Sequence, residues 1–269
     1  MQFALNYSPQ AADALRDGAL RIDRFKCPPW DDLTAEARIY KPIYIHFPLR
    51  TGALHKADWY AIERWMRDTD TPKVNVHLQV RAEDVAGASS TPDADFSAQV
   101  ETVYRRDLET LTARFGAGNI VAENVPYGRK TEEKHILQAS IDPALITRAL
   151  DASGCGLLLD VSHATLTAFS LGIDALDYIA ALPLERAGEV HLTGIREIDG
   201  VRRDHVAFTE PDFVRAEAAL RLIKARGGNP WIVSCEYGGI GEKFEWRSEY
   251  DVIVHDCARL NTILTDVAL

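Results

Sequence analysis

Short apolar segments of this sequence repeatedly end in a histidine or a carboxylate. Six such segments carry the candidate residues His46 in IYIHFP, His77 in VNVHLQ, Glu123 in IVAENV, Asp160 and His163 in LLLDVSH, His191 in EVHLTG and Glu236 in VSCEYGG. Imidazole and carboxylate together suit a divalent zinc, manganese, iron or cobalt ion, and they fit a pure calcium site poorly. Metal binding is therefore the chemistry that these residue types indicate.

Each of these residues also has an ordinary structural explanation when it is considered alone. A histidine at a strand end is usually a hydrogen-bonded structural residue, and a carboxylate there often caps a helix or pairs with an arginine. As a set they are harder to explain in this way, because they would gather a large unpaired charge that a bound cation neutralises. The sequence therefore predicts a bound divalent cation among these side chains.

The elements that must position these side chains follow from the hydrophobic pattern. Eight apolar runs, predicted to be strands, alternate with longer amphipathic stretches: Gln2–Tyr7, Ile22–Lys26, Ile43–Phe47, Val74–Leu78, Ile120–Glu123, Leu157–Asp160, Glu189–Leu192 and Trp231–Glu236. Strand followed by helix, repeated about eight times, implies a parallel sheet. For a chain of 269 residues, the simplest arrangement of such a sheet is a single-domain (β/α)8 TIM barrel spanning residues 1–269. Its strands would direct the candidate ligands toward one end of the barrel.

An open doubly wound sheet is the structural alternative, but no GxGxxG follows the first strand. The clearest predicted helix begins near Asp95 and places one apolar stripe on Phe96, Val100, Val103, Tyr104, Leu108 and Leu111. Further helices are predicted from about Asp142 to Leu150, Pro211 to Ala225 and Ser248 to Leu264. The segments 84–95 and 126–135 are predicted to be loops above the mouth.

Composition narrows the classes of partner. A net charge of −10 argues against a nucleic-acid partner, because such binding depends on clustered lysine and arginine. Small polar or sugar-like substrates are compatible with this charge. The N-terminus lacks the basic start of a secretory signal, and no apolar run is long enough to cross a membrane, so a cytoplasmic protein is expected. The four scattered cysteines are expected to be buried thiols, and an oligomer is left open.

The pattern resembles the xylose isomerase-like TIM-barrel superfamily over roughly Ile43 to Glu236. That superfamily contains sugar isomerases and epimerases, endonuclease IV-type repair enzymes, and multinuclear non-haem iron-dependent oxidases that modify peptides. The resemblance implies a metal quartet of Glu123, Asp160, His191 and Glu236, with His163 as the histidine of a DxxH element. His46 and His77 match the additional histidines with which the repair enzymes and the oxidases build centres of two or three metals. The resemblance thus implies one to three divalent ions per chain.

One element of the resemblance is altered. Both polynuclear groups carry a D-x-H element after strand 7, whereas this chain has the adjacent pair Asp204 and His205 in RRDHVAF. Adjacent residues cannot be assumed to point at one ion. His205 is therefore kept as a candidate ligand, and Asp204 is the weaker candidate.

Three chemistries fit the resemblance. In a sugar or sugar-phosphate isomerase or epimerase, which we favour at this point, one ion would acidify the substrate while Glu123 and Glu236 transfer the proton. His163 and His191 would orient the substrate and the metal. The alternative is a multinuclear iron-dependent oxidase acting on a peptide or small molecule. The additional histidines and the sequence motifs ENVP and GCGLLLDV favour this alternative. A zinc-dependent phosphodiesterase is third, since the net charge opposes a DNA groove. A barrel that binds a ligand without turnover ranks below all three.

Two secondary features carry weaker hypotheses. The GGIGEK segment after strand 8 could offer backbone N–H groups to a phosphate, although three glycines more often simply form a turn. Trp30 and Trp246 could line a substrate mouth, whereas Trp59 and Trp65 are better explained as residues of a helix.

Overall fold

A computed structural model describes residues 1–88, 95–128, 135–240 and 247–268. The strands of this part of the chain are β1 (Gln2–Asn6), β2 (Arg24–Cys27), β3 (Ile43–Ile45), β4 (Val74–His77), β5 (Ile120–Glu123), β6 (Gly156–Asp160), β7 (Ala187–Leu192), β8 (Gly194–Ile198), β9 (Val201–Val206) and β10 (Ile232–Cys235). All of them except β8 and β9 form one parallel sheet in the order β3-β2-β1-β10-β7-β6-β5-β4. Each of the eight predicted strands is present, with bounds that differ by at most two residues.

The sheet curls until its two end strands, β3 and β4, meet. The backbone N–H of His77 donates to the carbonyl of Leu49 at 2.9 Å, and the N–H of Thr51 donates to the carbonyl of His77 at 3.0 Å. The Asn75 side chain also bridges the seam, because its Oδ1 accepts from Phe47 N at 2.6 Å and its Nδ2 donates to Phe47 O at 2.9 Å. The predicted (β/α)8 barrel is thus confirmed, with an amide side chain replacing part of a backbone ladder.

Helices surround the sheet. Those of the described residues are α1 (Pro9–Arg16), α2 (Asp31–Ala37), α3 (Trp59–Thr69), α4 (Ser97–Phe115), α5 (Pro143–Ser153), α6 (Val161–Leu171), α7 (Ala175–Ala181), α8 (Glu210–Ala225) and α9 (Tyr250–Val267). The predicted apolar stripe of α4 is confirmed, since all six of its residues are buried. Trp65 is a buried residue of α3 and Trp59 packs partly against the core. No helix of the described residues combines the length and apolar character that a membrane span requires.

Strand alternation separates an apolar layer from a polar interior, as β7 illustrates. Val190 and Leu192 belong to the apolar core, whereas Glu189 and His191 lie on the other face and contact each other. At the end of β10, Cys235 likewise joins the core, one residue before Glu236. The four cysteines are all buried free thiols, as expected. The polar residues of the strands are therefore directed toward the barrel axis.

Two features of the chain were not predicted. Helix α6 begins directly after β6 without a loop, and β8 and β9 form an antiparallel hairpin. The hairpin turns at Asp199 and Gly200, both of which have positive φ (55° and 74°), the geometry of a type I′ turn. An Asp-Gly pair is a recognised hairpin signal, so this element was readable from the sequence.

Candidate metal centre

The strand ends bring every predicted ligand to one side of the barrel. Register places His77 opposite Glu123 across β4 and β5, and it places Asp160 opposite His191 across β6 and β7. Ligand-type atoms lie within 4.8 Å of one another in four groups: His46, Glu123 and His191; Glu123, Asp160 and His163; Asp160, His191 and Glu236; and His163, Asp204 and His205. Because the groups share members, they form one continuous cluster, called the metal centre below.

Glu123 lies in the middle of this centre. Its Oε2 is 3.3 Å from His77 Nε2 and 3.5 Å from His46 Nε2, and its Oε1 is 3.3 Å from His163 Nδ1. Burial alone would raise the pKa of Glu123, but the surrounding imidazoles, His77 foremost, outweigh burial and hold that pKa well below its ordinary value. Glu123 is therefore a carboxylate, the form that binds a metal ion.

Asp160 is the last residue of β6 and the N-cap of α6, and its side chain belongs to the metal centre. As the N-cap of α6 it accepts the backbone N–H of His163 at Oδ1, 2.7 Å away, which satisfies one of the free amides of the first turn. This cap fixes the first turn, so that the His163 side chain comes within 3.5 Å of Asp160 Oδ2. The DVSH spacing thus has a local physical cause, and it leaves Oδ2 available to the centre.

Backbone carbonyls orient three of the imidazoles. The carbonyl of Asn124 lies 3.0 Å from His163 Nδ1, and the other two imidazoles are those of His77 and His205. His77 Nδ1 is 2.7 Å from Leu49 O, and His205 Nδ1 is 3.0 Å from Glu236 O. Because a carbonyl oxygen can only accept, each Nδ1 carries the proton and donates. The lone pair of Nε2 therefore faces the carboxylates in His77 and His205, which is the arrangement that a metal-binding histidine needs.

His191 is oriented by a carboxylate that the sequence reasoning missed. Its Nε2 lies 2.9 Å from Glu189 Oε1, inside the barrel, so Nε2 donates and Nδ1 is left for the centre. Nδ1 lies 3.2 Å from Glu236 Oε1 and 4.0 Å from Asp160 Oδ2. Glu189 stands two residues before His191, on the same face of β7, and that spacing is the signal that could have revealed it.

Asp204 and His205 both face the centre, although they are adjacent in β9. Asp204 Oδ2 is 3.3 Å from His163 Nε2, and His205 Nε2 is 3.8 Å from Glu236 Oε2. Strand alternation is broken because His205 has a positive φ of 56°. Asp204 therefore lies with His163 and His205 in one group of candidate ligands, and it stays a candidate on the same footing as His205.

The pKa values of His163, Asp204 and His205 are shifted by burial and by the charges of neighbouring side chains. Burial alone would lower the pKa of His163, but the carboxylates of Asp160 and Asp204 outweigh it and raise that pKa well above its ordinary value. Burial alone would raise the pKa of Asp204, and the imidazoles of His205 and His163 instead lower it. The pKa of His205 is lowered, chiefly by burial.

Lys26 is the second residue that the sequence reasoning missed. It lies on β2, and its ammonium donates to Glu236 Oε1 and lies 3.3 Å from His191 Nδ1. Burial lowers the pKa of Lys26 to about 8, while the nearby carboxylates, Glu123 first, oppose that shift. A lysine in RFKC gives no local sign of this role, because its partner lies 210 residues further along the chain.

The side chains present fit a bound metal ion. Glu123 Oε2, Asp160 Oδ2 and His46 Nδ1 are buried without a hydrogen-bond partner. A buried unpaired carboxylate oxygen is costly, and a divalent cation compensates for it better than any neutral donor. The mixed imidazole and carboxylate set suits zinc, manganese, iron or cobalt.

A cavity of about 440 Å³ opens onto the metal centre. His46, Glu123 and Glu236 line it on one side, and apolar residues including Trp30 and Ile240 line it elsewhere. Gly238 and Gly239 of the GGIGEK segment also line the cavity, whereas Gly241, Glu242, Lys243 and Trp246 lie outside the described residues. A larger cavity of about 1050 Å³, beside Tyr127 and Tyr178, has no candidate ligand in its described lining.

Sequence comparison connects the chain with a group of bacterial proteins. A family model described as "RiPP precursor modification enzyme MbnB/TglH/ChrH" matches residues 98–212, less than half of the chain. A UPF0276 protein of Bordetella pertussis is 41% identical over 75 residues, which cover 28% of this chain and 25% of that protein. A UPF0276 protein of Acaryochloris marina is 30% identical over 176 residues, covering 60% of this chain and 59% of that protein. The matches therefore span between about a quarter and three-fifths of these relatives.

Solved structures share the fold at low sequence identity. Mannonate dehydratase from Streptococcus suis superposes with a TM-score of 0.62 at 13% identity, covering 99% of this chain and 95% of that one. A xylose isomerase-like TIM-barrel protein from Mycobacterium smegmatis in complex with magnesium gives 0.58 at 14% identity, covering 100% and 98%. A D-psicose 3-epimerase gives 0.56 at 14% identity, with both chains covered completely.

Fold and site together define a TIM barrel with a cluster of imidazoles and carboxylates at the carboxyl ends of its strands. The chain has the xylose isomerase-like TIM-barrel fold of these solved structures, in agreement with the resemblance drawn from the sequence, and its residues 98–212 match the family model. The matched segment 98–212 contains six of the clustered residues, among them Asp204 and His205.

Proposed function

We propose that this protein is a multinuclear metal-dependent enzyme that oxidatively modifies a peptide precursor. The observation that carries the proposal is the third group of ligand-type side chains, His163, Asp204 and His205, beside a complete quartet. A one-metal isomerase has no need for this group or for His77. The matched family model, described as a RiPP precursor modification enzyme, supports the peptide substrate.

The centre offers ligands for more than one ion. Glu123, flanked by His46 and His77, would hold one ion. Asp160, His191 and Glu236 would hold a second, and the hairpin group of His163, Asp204 and His205 a third. Iron bound here would supply the redox chemistry that activates oxygen.

The chain itself supplies binding and orientation around that chemistry. The apolar wall of the 440 Å³ cavity, which includes Trp30, suits an uncharged peptide side chain better than a free sugar. Glu189 fixes the orientation of the His191 imidazole, and the carbonyl of Leu49 fixes that of His77. These two ligands therefore need no reorientation when metal binds. Burial of Glu123 and Asp160 keeps bulk water from these carboxylates.

A sugar isomerase or epimerase is the second candidate. The complete quartet and the structural likeness to a D-psicose 3-epimerase favour it. In that mechanism Glu236 would accept and return a proton. A quartet that holds one ion leaves His77 and the group of His163, Asp204 and His205 without a role, and for this reason we rank the isomerase second.

Metal content per chain separates these candidates. The protein is purified without added metal chelator, and each element is quantified per chain. Two or three iron ions support the proposal, about one manganese or cobalt ion favours the isomerase, and zinc favours a phosphodiesterase. His77→Ala is expected to lower the metal count of a multinuclear centre, because it removes an imidazole that contacts Glu123.

His255→Ala is the matched control. This histidine has an exposed side chain on α9 and pairs with Asp256, away from the centre. The control should retain the metal count of the parent protein. A parent chain that holds one ion, with an unchanged count in His77→Ala, would exclude the multinuclear proposal.

A further inference from the structure

Lys26 is an unusual residue for the inside of a metal centre. It is 5% exposed, and it is the single lysine or arginine among the buried residues that the structure describes. Its ammonium donates to Glu236 Oε1 and lies 3.3 Å from His191 Nδ1. A buried ammonium is costly unless it is paired, so these contacts hold it in place.

The two atoms that Lys26 contacts are also the atoms that a metal ion would use. His191 Nε2 is already engaged by Glu189, which leaves Nδ1 as the nitrogen available to an ion. Glu236 Oε1 is the carboxylate oxygen nearest to that nitrogen, at 3.2 Å. A divalent ion and the ammonium therefore compete for the same pair of atoms.

We propose that Lys26 is a built-in counter-cation of the Asp160, His191 and Glu236 group, and that a metal ion binding there must displace its ammonium. In the metal-free protein Lys26 compensates part of the carboxylate charge. When the ion binds, the ammonium leaves Glu236 and turns into the adjoining cavity, which Lys26 already lines. There it can donate a hydrogen bond to a substrate oxygen. The inference rests on the proposed multinuclear centre.

Metal titration of Lys26→Met tests this inference. Metal-free protein is titrated with Mn²⁺ in competition with a chromophoric chelator, which gives the dissociation constant of each class of site. Removing a unit charge that lies within contact distance should tighten the weakest class at least about tenfold. The stronger classes should change little, and combining Lys26→Met with Glu236→Gln should abolish the gain.

A second readout follows the metal-free protein. Without the ammonium, the carboxylates of the centre repel one another, so metal-free Lys26→Met should unfold at a lower temperature than the parent, and saturating Mn²⁺ should remove the difference. Lys26→Gln keeps a hydrogen-bond donor without the charge. Lys26→Gln is expected to tighten Mn²⁺ binding as well, and it replaces Lys26→Met in both measurements if Lys26→Met does not fold.

Lys73→Met is the matched control. Lys73 is a partly buried lysine just before β4, and its Nζ donates to the carbonyl of Gly118 at 2.6 Å. It should leave Mn²⁺ affinity unchanged. Equal or weaker Mn²⁺ binding in Lys26→Met and Lys26→Gln would overturn the inference. If the parent chain binds only one Mn²⁺ and that site tightens in these variants, the role of Lys26 as counter-cation is supported and the multinuclear centre is excluded.

Discussion

At the scale of single residues, Asp160 shows how a helix cap positions a pair of candidate metal ligands. Its Oδ1 caps α6 while its Oδ2 stays buried and unpaired, facing the centre. The cap also fixes His163 three residues later on the same side. Because both effects act within four residues, the sequence was sufficient to predict this pair.

Lys26 marks the limit of what the sequence alone can predict. Lysine in a short strand normally indicates an exposed edge, and Lys26 comes near the end of β10 because β2 pairs with β1 and β1 pairs with β10 in the folded sheet. The pairing of Lys26 with Glu236 therefore depends on tertiary structure. Glu189, by contrast, shares a face with His191 and could have been predicted from alternation alone.

Glu189→Gln should weaken metal binding without unfolding the barrel. The amide keeps the shape of the side chain but removes the charge that orients His191 and raises its basicity. Loss of such a partner typically costs about 10- to 100-fold in metal affinity. The chelator competition measures the effect, with Glu197→Gln on the exposed face of the hairpin as control. Equal affinity in both variants would contradict the orienting role.

At the scale of elements, the hairpin of β8 and β9 completes the centre. It arises from a two-residue turn at Asp199 and Gly200, and it ends where Asp204 and His205 reach the other ligands. The turn was readable from the sequence, but the positive φ of His205 was not. A histidine gives little local sign of that conformation, so the joint orientation of the adjacent pair became visible only in three dimensions.

Gly194 fixes the base of this hairpin, and Gly194→Ala should disrupt it. An added Cβ would lie 2.1 Å from the carbonyl oxygen of Ala207, a backbone atom, so the strands must move apart. The displacement would carry Asp204 and His205 away from His163. We expect a loss of about one metal ion per chain if the hairpin group holds an ion.

Elemental analysis measures that loss. Gly118→Ala is the control, because an added Cβ at Gly118 meets open space. A full metal count in Gly194→Ala would show that the hairpin does not position a ligand. Circular dichroism of both variants would establish that the barrel itself remains folded.

At the scale of the whole molecule, the eight strands and their order of appearance were predictable because hydrophobic periodicity is a local property. Closure was an inference from chain length and repetition, and the structure confirms it. The seam between β3 and β4 was not predictable, since Asn75 acts there on Phe47, a residue 28 positions away. Local patterns thus specified the strands, while the contacts that join the first half of the barrel required coordinates.

The same closure concentrates negative charge, and we therefore expect the stability of the molecule to depend on a bound cation. Glu123, Asp160 and Glu236 are each 5% exposed or less, so water screens their repulsion poorly. An ion that binds only the folded chain stabilises it by about 2.7 kcal/mol when its free concentration is 100 times the dissociation constant. For a protein of this size that corresponds to a rise of roughly 5–10 °C in Tm.

Calorimetry of the chelator-treated protein with and without added Mn²⁺ or Fe²⁺ measures this rise. Glu236→Gln should show a smaller rise, because it lacks one ligand and carries one buried charge less. Its metal-free form should be at least as stable as the metal-free parent if repulsion within the centre outweighs the contact with Lys26. An equal Tm for the parent protein with and without metal would mean that the buried carboxylates are fully compensated by the imidazoles and Lys26 alone. In that case the unpaired oxygens of Glu123 and Asp160 would no longer argue for a bound ion.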